Sequence, residues 1–69
     1  MNEKVDASIR AVELVKLSPD TNREPEALRD ALIAEDYSLL EAQMGMMNAV
    51  QAGDLELDLD LKFRMPTIH

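Results

Sequence analysis

Asp54-Leu55-Glu56-Leu57-Asp58-Leu59-Asp60-Leu61-Lys62-Phe63-Arg64-Met65 sets an apolar residue at every second position and a charge at each position between. Alternation of period two marks a β-strand with one buried and one wet face. On a helix the same leucines would scatter around the axis. The stretch therefore predicts one amphipathic strand over about residues 54–65. No second strand is evident elsewhere in the chain. A lone strand leaves its backbone groups unpaired and is not stable by itself. Its partner is expected from another chain, either as a homodimer ribbon or by β-augmentation of a partner's sheet edge.

The charges on the strand support self-pairing. If two copies run antiparallel about Asp60, Glu56 lies opposite Arg64 and Asp58 opposite Lys62. Leu57 then meets Phe63, and Leu59 meets Leu61. Such ion pairs contribute roughly 0.2–1 kcal/mol each, against one Asp60–Asp60 repulsion. The oligomer interface is thus expected to comprise Leu55, Leu57, Leu59, Leu61, Phe63 and Met65, with Glu56, Asp58, Lys62 and Arg64 on the outer face.

Upstream of the strand the pattern becomes helical. Residues 25–52 are rich in Ala, Leu, Glu and Met, all good helix formers, and Gly53 supplies a stop. At about 100° per residue they form two apolar stripes. Leu28, Leu32, Leu39, Met46 and Val50 make one, bordered by Ala31, Ala42 and Ala49. Ile33, Tyr37, Leu40, Met44 and Met47 make the other. Only an arc with Asp30, Ala34, Ser38, Glu41, Gly45 and Asn48 looks made for water. Gly45 costs about 1 kcal/mol relative to Ala in a helix, which points to close approach by another backbone. A face this wide must meet several neighbours, so the second stripe is expected to bind a partner.

A first helix is expected over about residues 3–17. Val5, Ile9, Val12 and Val15 follow helical spacing, Asn2 can cap the start, and Glu3 and Asp6 suit the first turn. Residues 18–24, with Pro19 and a run of polar residues, form a loop, and Pro25 suits the first turn of the second helix. Residues 66–69 form a short tail. The expected fold is mainly α: one domain, 1–69, with a two-helix hairpin followed by the inter-chain strand.

Composition narrows function more by exclusion. A domain of 69 residues buries only about 60% of its unfolded surface and usually needs a staple. The chain holds no cysteine and one histidine, His69, which leaves oligomerisation as the staple and no cofactor or metal site expected. A net charge of −7 disfavours nucleic acid, whose phosphates need basic residues, and anionic membrane surfaces. A DNA-binding repressor would have to draw its basic patch from Arg10, Lys16, Arg23 and Arg29. No signal peptide or membrane span is evident, so a cytoplasmic protein is expected. The carboxylates Glu35-Asp36 and Asp58 with Asp60 lack a cleft or a partner group for acid–base work, so no enzyme is expected. What remains is a small acidic protein-binding module (regulator, inhibitor, antitoxin-like partner or assembly chaperone) that acts as an oligomer, with a dimer favoured. The alternative is a structural subunit of a larger phage or secretion assembly.

Overall fold

The computed structural model describes residues 4–66, so Asn2, Glu3 and the tail residues 67–69 lie outside the described residues. The fold is mainly helical, with one small antiparallel sheet. In chain order the elements are α1 (Ala7–Leu17), α2 (Pro19–Asn22), α3 (Pro25–Ala34), α4 (Leu39–Gln51), β1 (Glu56–Leu57) and β2 (Phe63–Arg64).

Helix α1 starts at Ala7, because the Asp6 carboxylate caps it by accepting the Ser8 N–H. Of the expected stripe only Val15 is fully buried. Ala7, Ala11, Leu14 and Val15 point inward, while Val5 and Ile9 are exposed and Val12 half-buried. The reason is on α4, whose buried positions are Ala42, Gly45 and Ala49. Two faces of small residues let the helix backbones meet more closely than branched side chains would allow. A Cβ added at Gly45 would sit 2.5 Å from the Ala7 Cβ and 2.7 Å from its carbonyl carbon. The close approach expected at Gly45 is therefore present, and that residue faces α1 rather than water.

The expected loop at 18–24 contains α2, with Pro19 in its first turn. Asn22 is buried there with its Nδ2 donating at 2.7 Å to the Leu14 carbonyl, which also accepts the Ser18 N–H at the end of α1.

The expected long second helix is divided at residues 35–38. Asp36 takes a left-handed conformation, φ 71°. The Tyr37 N–H donates to the Leu32 carbonyl and the Asp36 N–H to the Ile33 carbonyl, which is a Schellman motif with an aspartate where glycine is usual. Ser38 then starts α4 with a capping box: its hydroxyl accepts the Glu41 N–H at 3.0 Å, and the Glu41 carboxylate accepts the Ser38 N–H at 2.8 Å. A second Schellman motif ends α4 at Gly53, φ 83°, as its position after the helix implied.

The alternating stretch folds back on itself. Glu56 pairs with Arg64 and Leu57 with Phe63, antiparallel and within one chain. These are the cross-strand pairs expected between two copies about Asp60, made here by a turn at that residue. The second strand hidden from the sequence pattern is the other half of the same stretch. Phe63 is buried and its N–H donates to the Arg23 carbonyl at 2.7 Å, so the α2–α3 connection covers the outer edge of β2.

Leu28, Leu32, Leu55 and Val15 are the largest fully buried side chains, each stabilising the fold by about 1.5–3 kcal/mol. They share a single core with Tyr37, Phe63 and the alanines of α1 and α4. Since the atoms facing Gly45 include backbone, they cannot swing aside. Gly45→Ala should therefore destabilise by about 1–3 kcal/mol through overpacking, outweighing its better helix propensity. Thermal unfolding followed by circular dichroism checks this: the midpoint should fall, whereas an unchanged or raised midpoint would mean that α1 and α4 stand further apart.

Candidate functional site

Residues expected to bind a partner fall into two environments. Tyr37 is only 5% exposed, and its hydroxyl donates to the Val5 carbonyl at 2.7 Å. It is a structural anchor rather than a surface aromatic. Leu40, Met44 and Met47 lie on the side of α4 away from α1 and are 65%, 51% and 59% exposed. Ile33, on α3, is exposed but does not line the groove described next.

The N-terminal segment completes this surface, a contribution the sequence did not reveal. Lys4 and Val5 run beside the start of α4, and Val5, Tyr37, Leu40 and Met44 line an open groove of about 520 Å³. Gly45 lies at its base, and Asp6 and Glu41 border it. The segment is held by side chains from both sides. The Lys4 ammonium lies 4.8 Å from the Tyr37 ring centroid, over its negative face, and also donates to the Asp36 carbonyl. Arg10 grips Glu35 through two parallel bonds, Nε to Oε1 at 2.6 Å and a terminal nitrogen to Oε2 at 2.9 Å. The turn between α3 and α4 is thereby fastened to the start of α1.

This arrangement sets the local charges. The Arg10 guanidinium holds the Glu35 carboxyl below its usual range. Hydrogen bonds from Ser38 lower Glu41, and those from Ser8 lower Asp6. Burial pushes the Tyr37 phenol up, with the charge of Glu35 adding to it, so the hydroxyl stays a neutral donor. Around the apolar Val5, Leu40 and Met44, the groove thus carries the carboxylates of Asp6 and Glu41 and the Lys4 ammonium.

A second open groove, of about 590 Å³, lies along the outer side of α1, where Ile9 and Val12 meet Met65. The valine stripe that the helical spacing marked as core is thus partly a surface.

Among the residues expected at an oligomer interface, Leu55 and Phe63 are already used in the core and Met65 is half-buried. Arg64 Nε donates to Glu56 Oε2 at 2.9 Å. Lys62 reaches Glu24 instead of Asp58, whose Oδ1 accepts the N–H groups of Asp60 and Lys62. Leu57 is 44% exposed, Leu61 66%, and Leu59 fully exposed.

Among the described residues no group of three or more His, Asp or Glu side chains is placed to hold a metal ion, and no helix is long and apolar enough to cross a membrane. The carboxylates considered for acid–base work have local roles: Glu35 binds Arg10, and Asp58 holds its turn. No known protein family, curated protein or solved structure matches the chain.

The Arg10–Glu35 contact yields a pH test. Folding lowers the pKa of Glu35, so its contribution is present above the unfolded value of about 4.3 and lost as pH falls through the folded value. Wild type should therefore be more stable than Glu35→Gln at pH 7, with the difference closing in acid. Urea unfolding at pH 7 and at about pH 3 measures this, and a difference that grows in acid would reverse the sign.

Proposed function

We propose that the chain is a small, non-enzymatic protein-binding module of the cytoplasm, acting as a regulator, inhibitor or assembly chaperone. The observation that carries this reading is the exposure of Leu40, Met44 and Met47 together on the outer side of α4, of which Leu40 and Met44 line a groove with Val5 and Tyr37. Apolar side chains at i, i+4 and i+7 fit a partner helix laid into a groove. Two of the three are methionines, whose flexible thioethers adapt to varied partner surfaces. Asp6 and Glu41 at the groove, with a chain charge of −7, favour an apolar helix flanked by basic residues. Oligomerisation through the stretch Asp54–Met65, by pairing strands between copies, is part of the same reading.

A structural subunit of a larger assembly is the second reading, favoured by the leucines exposed at the hairpin turn, far from any use in the core. Dilution separates the two. A regulator stops at a small oligomer, whereas an assembly subunit grows with concentration.

The α4 surface is tested with a synthetic amphipathic helix carrying leucines at i, i+4 and i+7 and lysines at both ends. It should bind wild type and shift the NMR signals of Val5, Leu40 and Met44. Leu40→Asp and Met44→Asp should keep the helical circular dichroism, since both side chains are exposed, and weaken binding by about tenfold or more, the effect of losing an interface anchor. Equal binding by these variants would refute the assignment.

A further inference from the structure

We propose that Asp54–Met65 is an exchangeable hairpin: closed within one chain in this structure, and able to open into a continuous strand that pairs with the same strand of a second copy. This rests on the oligomer part of the reading above and names both the partner and the hinge.

The turn is built against its own chemistry. The Leu61 N–H donates to the Asp58 carbonyl and the Asp58 N–H to the Lys62 carbonyl, both at 2.9 Å. That is a three-residue hairpin loop, whose last residue must be left-handed and is ordinarily glycine. Here it is Leu61, at φ 61°. A branched side chain in that conformation is strained, whereas an extended strand places leucine in an allowed region. Leu59, Asp60 and Leu61 also continue the alternation of their flanks without a Gly, Pro or Asn to break it.

Opening the turn removes the strain at Leu61 and extends the strand through Asp60. The pairs Glu56–Arg64 and Leu57–Phe63 then re-form between chains, with Leu55 and Phe63 free to return to their places in the cores. Two further pairs become possible, Leu59 opposite Leu61 of the second copy and the reverse. They would cover Leu59, which is fully exposed in the closed form, and Leu61, which is 66% exposed. Against opening stand the bonds that the backbone N–H groups of Asp60 and Lys62 donate to Asp58 Oδ1, and the meeting of two Asp60 carboxylates at the symmetry axis. Because the open form is a dimer and the closed form a monomer, the balance between them depends on concentration. Strained hinge loops are the setting in which identical elements exchange between copies.

The chain has no cysteine, so an introduced pair reports without interference. Glu56→Cys with Arg64→Cys places the two thiols at a hydrogen-bonded cross-strand pair, within reach of a disulfide. The protein is refolded at high concentration, the dimer is isolated by chromatography with light scattering, and it is oxidised and run on a denaturing gel. A covalent dimer is the expected result. No dimer at any concentration, or a dimer whose disulfides close within each chain, would overturn the proposal. The second of these would leave association through α4 intact, so the two readings fail separately. Leu61→Gly relaxes the closed turn and should raise the dissociation constant by about tenfold or more. Leu59→Ser, at a side chain with no contacts to lose in the closed form, should also weaken the dimer. If both variants dimerise as readily as wild type, the turn is not the hinge.

Discussion

The contact of Ala7 on Gly45 is the constraint on which the rest of this structure depends. Because α1 and α4 meet through alanines and a glycine, their backbones come close, and there is no room between them for larger side chains. Ile9 and Leu17 of α1 are left exposed and Val12 half-buried, and Leu40, Met44 and Met47 of α4 face away. A small domain usually hides such residues. Here the closeness of two helices displaces them outward, and the exposed apolar surface is a direct result of how the core is packed.

The surface is not left loose. Tyr37 ties the turn before α4 to Val5, Lys4 lies over its ring, and Arg10 holds Glu35. These bonds join the N-terminal segment to the start of α4 and fix the groove between them. An interface that is already shaped loses less entropy when it binds. The opposite device governs the hairpin. There a leucine in a left-handed position and a fully exposed neighbour leave the closed turn easier to open. One chain thus combines a preorganised apolar groove with a hairpin whose turn holds a leucine in a left-handed conformation.

Much of this was legible in the sequence, and the misreadings have physical causes. The strand pattern, the stop at Gly53 and the meaning of Gly45 could all be read from residue type and period. The cross-strand pairs about Asp60 were also legible, but whether they join one chain or two was not. The turn has no glycine or proline to announce it, so the alternation reads as unbroken. The break at residues 35–38 was hidden for a similar reason: an aspartate, not a glycine, takes the left-handed position after α3. The capping pair Ser38 and Glu41 was the available signal, and it sat inside a run of good helix formers. On α1, helical spacing placed Val15 in the core correctly, but also Val5, Ile9 and Val12. Next to Gly45 the decisive property was size, which shows only when the partner face of α4 is known. Leu40, Met44 and Met47 share one exposed face of α4, as their spacing implies, whereas Tyr37 on the same stripe is an anchor because α4 begins after it.

The most direct test of this packing is the nuclear Overhauser spectrum of the uniformly labelled protein at low concentration. Cross-peaks between the Ala7 methyl and the Gly45 α-protons, with the run of helical amide–amide contacts interrupted between Ala34 and Leu39, are predicted. An unbroken run through residues 34–39, with no contact from Ala7 to Gly45, would contradict them. The chain would then hold one long helix with a different face buried, and the groove beside α4 would not exist.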